Sequence, residues 1–139
     1  MFRRLGLVLA CLALPLWLAL AQSESTQSGG AKASNVKLPA EQTGTYFKTI
    51  DELLATAKVD YGAGNTDAAS EALIEAYLEN FEYLEAPLEK VDVELVEELE
   101  EILRVDLPEI VNANGTQEEF VTAVDAALAE LDRAQTLLK

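Results

Sequence analysis

Apolar residues recur at helical spacing along four stretches beyond residue 38, separated by short breaks rich in glycine, asparagine or polar residues. The stretch 66–90, TDAASEALIEAYLENFEYLEAPLEK, organises the rest. With Phe81 as centre and about 100° per residue, Leu73, Ile74, Tyr77, Leu78, Leu84 and Leu88 fall on one face. Glu71, Glu75, Glu82, Glu85 and Glu89 lie on the edge of that face, within an arc of roughly 80°. Glu85 comes closest to the apolar stripe, flanked by Ile74 and Leu78. Its carboxylate is expected to be partly dried, and a dried carboxylate needs a partner. Pro87 removes the hydrogen bond to the Tyr83 carbonyl. The helix then either stops near Glu85, the commoner outcome because the residue before proline avoids the helical region, or kinks and frees that carbonyl.

The other three stretches read in the same way. A first helix is expected from about Gln42 to Asp60, with Tyr46, Phe47, Ile50, Leu53, Leu54 and Ala57 as its stripe and Tyr61 closing it. Gly62-Ala63-Gly64-Asn65 stops it with residues that tolerate positive φ. Asn65 or Thr66 caps the second helix, and Asp67 complements its dipole. Asp92 is the expected cap of a third helix with Leu95, Val96, Leu99, Ile102 and Leu103 on one side. Glu94, Glu97, Glu98 and Glu101 form a solvated face mostly opposite. Glu100 and Arg104 are four apart, in the order that favours an exposed pair. Pro108 is expected to break or kink this helix near Asp106, before a stop at Asn112-Ala113-Asn114-Gly115. Thr116-Gln117-Glu118-Glu119 is a capping box. It opens a fourth helix whose apolar positions are Phe120, Val124, Ala127, Leu128, Leu131 and Leu138, flanked by Asp125 and Asp132. Four amphipathic helices with short turns, and no strand-like alternation, predict an all-α protein: an antiparallel up-down-up-down four-helix bundle over residues 38–139. Tyr46, Phe47, Tyr77, Phe81 and Phe120 are its expected large core pieces.

Residues 1–21 read as a secretory signal peptide. Arg3 and Arg4 form a basic start, Leu5 to Leu18 an apolar run, and Ala19-Leu20-Ala21 a small-x-small cleavage site. The apolar run is too short to favour a spanning anchor. Cys11 falls too early, with too little apolar sequence before it, for a lipoprotein signal. Residues 22–37, QSESTQSGGAKASNVK, read as a flexible tether. Beyond the cleavage site the chain has no Cys, His, Trp or Met. That inventory excludes disulfides, zinc fingers, thiol nucleophiles and Ser-His-Asp triads, and leaves oxygen as the metal ligand. Without Arg3 and Arg4, 8 basic residues face 25 acidic ones. Nucleic acid and anionic lipid are poor partners for such a chain, whereas cations and basic protein surfaces suit it.

Glu75-Ala76-Tyr77-Leu78-Glu79-Asn80-Phe81-Glu82-Tyr83-Leu84-Glu85 resembles the A-Y-L-x-x-F-E-x-L-E signature of the extracytoplasmic N-terminal domain of bacterial high-affinity iron permeases, the oxidase-coupled iron/lead transporter family. The similarity continues through Leu95-Val96-Glu97-Glu98-Leu99-Glu100 to Leu131-Asp132-Arg133-Ala134. Arg104 falls out of phase with the arginine that family places after its Leu-Glu segment. Family permeases continue into a multi-helix membrane domain with Arg-Glu-x-x-Glu motifs, which these 139 residues lack. The resemblance therefore implies an accessory module of iron uptake, outside the cytoplasm, that serves a membrane permease or periplasmic uptake proteins.

Iron(III) is a hard ion that prefers carboxylate and phenolate oxygens. Glu82 and Glu85, three apart on one flank, are the candidate ligands, helped by Tyr77 or a facing Asp125 or Asp132. A cation between paired carboxylates relieves their repulsion. Di-iron bundles usually add histidines, and without them calcium or magnesium competes. Three classes of function remain: a module that binds or delivers iron, a non-metal docking module on a permease or periplasmic partner, and an enzyme using paired carboxylates. A narrow four-helix bundle seldom offers the cleft the third requires, so no catalysis is expected.

Overall fold

The computed structural model describes residues 40–139, and the signal-peptide and tether assignments lie outside the described residues. The described chain is all-α, with four helices. Helix α1 is Ala40–Gly62. Helix α2 spans 66–88 and consists of Thr66–Ala76, a π-helical turn Tyr77–Phe81 and a last segment Glu82–Leu88. Helix α3 spans 93–112, with Val93–Glu101 and Leu107–Asn112 on either side of a second π turn, Ile102–Asp106. Helix α4 is Gln117–Leu137. No described helix is long and apolar enough to cross a membrane.

Most of the expected punctuation is present. Gly64 takes a φ of 81° and Asn114 a φ of 52°, the left-handed conformation at which each turn ends its helix. Asp92 accepts from the Leu95 amide at 3.1 Å, and Thr116 with Glu119 completes the capping box. Asn65 occupies the cap position of α2 but makes no side-chain cap. Tyr61 locks the two left-handed turns into the core, since its hydroxyl donates to the Gly115 carbonyl at 2.6 Å. A side chain at 115 would meet Ile110 at 2.8 Å, so glycine is needed there for space.

Each helix packs mainly on two others, in the ring α1–α2, α2–α3, α3–α4 and α4–α1. The core they enclose holds Phe47, Ile50 and Leu54 of α1, Leu73, Phe81, Leu84 and Leu88 of α2, Leu95, Leu99, Leu103 and Leu107 of α3, and Phe120, Val124 and Leu131 of α4. Tyr61 tilts against Phe120 at 4.5 Å between centroids. Tyr46 is only half-buried and stacks instead on the exposed ring of Tyr83.

Of the two prolines within the described helices, Pro87 departs from the commoner sequence expectation, whereas Pro108 follows the interruption expected near Asp106. Helix α2 does not stop near Glu85. It continues through Pro87 to Leu88, whose side chain is fully buried. Burying a leucine is worth about 1.5–3 kcal/mol, enough to offset one lost backbone bond in a final turn. Pro108 sits in the first turn of the Leu107–Asn112 segment, a position proline tolerates, and the helix loosens into the π turn just before it.

Candidate functional site

The two π turns determine what α2 and α3 present to each other. A π turn holds one residue more than an α turn, so every later side chain is set back by about 100° from the regular phase. Asn80 stabilises the first of them. Its side chain is buried and donates to the Glu75 carbonyl, five residues back, at 3.0 Å. The changed phase divides the expected stripe. Leu73, Tyr77, Phe81, Leu84 and Leu88 enter the core, whereas Ile74 and Leu78 are 55% and 46% exposed.

Glu85 faces Glu100 across the α2–α3 interface, with Tyr77 between them. The Tyr77 hydroxyl donates to Glu100 Oε1 at 3.2 Å. Glu85 Oε1 is buried and has no hydrogen-bond partner. Burial pushes the Glu85 carboxyl up to about 7, and the charges of Glu100, Glu82 and Glu89 add to the rise. The neighbouring Tyr77 hydroxyl works against it. The Tyr77 hydroxyl itself is pushed up to about 12, first by burial and then by Glu85, while Arg104 acts in the opposite direction and Glu100 adds to the rise. Tyr77 is therefore a proton donor to carboxylates at neutral pH, and phenolate ligation would first require displacing a strongly held proton.

The candidate residues separate in the structure. Tyr77 and Glu85 come together. Glu82 is exposed and bears on Glu85 through its charge. Asp125 lies toward α1, where Lys58 reaches it at 2.6 Å. Asp132 also lies toward α1, since its charge helps burial raise the Asp51 carboxyl. Neither is brought to the Glu85 cluster. Among the described residues, no group of three or more Asp, Glu, His or Cys side chains is placed to hold a metal ion.

Glu100 is the residue that sequence reasoning missed. It was expected to pair with Arg104, but no ion pair forms between them. The π turn beginning at Ile102 intervenes and removes the four-residue register. The available signal was its position beside Val96 and Leu99 in the apolar stripe of α3.

Next to this cluster a groove of about 320 Å³ runs between α2 and α3, lined by Leu73, Ile74, Tyr77, Leu78, Leu103 and Pro108. Glu82 and Arg104 also line it. Both π turns contribute lining residues. No protein-family model, curated protein or solved structure matches the chain.

Proposed function

We propose that this protein is an exported, acidic, non-catalytic module of iron uptake that binds iron as cargo and passes it to a membrane permease or a periplasmic partner. The resemblance of residues 75–85 to the iron-permease N-terminal domain supports this reading, as does a ligand inventory of oxygen alone. The observation that carries it is the buried, unpartnered Oε1 of Glu85, facing a second carboxylate across a helix interface. A cation there would satisfy the orphaned oxygen and relieve the repulsion from Glu100. The donor set fits a hard cation only in part, because two carboxylates and a protonated phenol leave most of the coordination sphere to water or to a receiving protein. Such a sphere suits hand-over better than storage.

The helices are proposed to run up-down-up-down. Tyr46 near the start of α1 stacks on Tyr83 near the end of α2, and Lys58 near the end of α1 pairs with Asp125 in the first half of α4. Asp92 at the start of α3 pairs with Arg133 near the end of α4. These contacts support antiparallel neighbours around the ring.

Titration of the purified protein with Fe(II) and Fe(III) under excess calcium tests the proposal. Saturable binding that survives calcium, is lost in Glu85→Gln/Glu100→Gln and persists in Glu82→Gln would support it. Absence of binding, or equal loss of binding to calcium in all three proteins, would remove the iron site. The groove favours a second reading, a docking module that needs no metal. Partner binding that is indifferent to chelators would distinguish it from the first.

A further inference from the structure

The α2–α3 groove has the form of a receptor for a helix. Its lining residues repeat at i, i+4 on both walls: Leu73 with Tyr77, Ile74 with Leu78, and Arg104 with Pro108. That spacing marks both walls as helical, and an apolar groove between helices is the kind of surface into which a partner helix lays its apolar face. The described residues form no strand, so adding a partner strand to a sheet edge is not available here. Ile74 and Leu78 are large apolar side chains left about half exposed within one patch. Two π turns, a costly departure from regular helix, both open onto this groove. At about 320 Å³ it lies at the small end of ligand pockets, suited to a few anchoring side chains.

Charge identifies the occupant. Glu82 lines the groove itself, and Glu71 and Glu75 are exposed and lie three residues before Ile74 and Leu78, along its outer rim. Glu85 and Glu100 carry the acidic character toward one end. Arg104 is the single basic residue in the lining. A partner helix with an apolar stripe and Lys or Arg on both sides of it would match this pattern in geometry and in sign.

We propose that the α2–α3 groove binds a basic amphipathic helix of a partner protein, with its apolar residues seated on Ile74 and Leu78 and its cations against Glu71, Glu75 and Glu82. This rests on the docking reading and is independent of iron at Glu85 and Glu100.

The test uses the full purified protein and three fluorescent synthetic peptides of equal length: an amphipathic Leu/Lys helix, an amphipathic Leu/Gln helix, and a Gly/Lys peptide with the same charge and no apolar face. The Leu/Lys helix should bind saturably. Its affinity should fall about ten-fold or more in Ile74→Ser/Leu78→Ser, which alters exposed positions only, and similarly in Glu71→Gln/Glu75→Gln/Glu82→Gln. The Gly/Lys peptide should bind weakly, and the Ile74→Ser/Leu78→Ser change should leave it unaffected. If the Leu/Gln helix binds as tightly as Leu/Lys and loses affinity equally in the serine variant, the groove docks helices but the assignment of a basic partner is overturned. If no amphipathic helix responds to the serine variant, the docking reading fails as well.

Discussion

At the scale of single residues, Glu85 is where folding and the proposed function conflict most directly. A carboxyl with an ordinary value of 4.5 is raised to about 7, mainly by burial and then by Glu100, Glu82 and Glu89. Because the folded state holds this proton more tightly than the unfolded chain does, Glu85 costs no stability below about pH 4.5. Its cost grows as pH rises through about 7, and is complete above that. The group is partly open to solvent, so the cost is on the order of 1 kcal/mol. Glu85→Gln keeps the shape and removes the charge. Urea unfolding should find it more stable than the parent at pH 8 and indistinguishable near pH 4.5, provided the raised carboxyl is the cause. Equal stability of the two proteins at pH 8 would mean that water reaches the carboxylate freely. The same titration bears on the proposed cargo. A cation must displace the proton of Glu85, so capture should strengthen as pH rises from 6 to 8.

At the scale of elements, the caps and the π turns had unequal visibility in the sequence. Caps depend on local side-chain chemistry, and Asp92 and Thr116 with Glu119 were legible for that reason. Thr116→Ala should cost about 1 kcal/mol, read as a lower urea midpoint with an unchanged slope, because it removes the acceptor for the Glu119 amide and leaves the fold intact. The four helices and nearly all of the core were legible too, since their stripes keep a 3.6-residue phase on either side of the π turns. A π turn interrupts that phase and leaves no reliable mark in composition. The stripe of α2 therefore appeared wider than it is, and Ile74 and Leu78 were assigned to the core face. The candidate site was legible only in part. Tyr77 and the drying of Glu85 followed from one helix read alone. Glu100 required the α2–α3 pairing, and the groove required both π turns. Asp125 and Asp132 flank the apolar stripe of α4 as expected, but a flank does not specify which neighbour it meets, and it proved to be α1.

At the scale of the whole molecule, residues 40–139 carry 24 acidic and 6 basic side chains, and the four ion pairs among them use only Lys48, Lys58 and Arg133. Most carboxylates therefore repel one another across a small helical body. Salt shortens the range of that repulsion, from about 30 Å at 0.01 M to about 10 Å at 0.1 M. The melting temperature should accordingly rise by several degrees between 10 and 150 mM NaCl, where relief of about 1 kcal/mol corresponds to roughly 4–8 °C in a domain of this size. The same field would attract the proposed cation and basic helix, so its screening should oppose their binding. Scanning calorimetry and binding titrations over one salt series should thus move in opposite directions, with the fold strengthening while capture of a basic helix weakens. A melting temperature that fell with salt would instead mean that the few ion pairs outweigh the repulsion, and the excess charge would then have no part in gathering a partner.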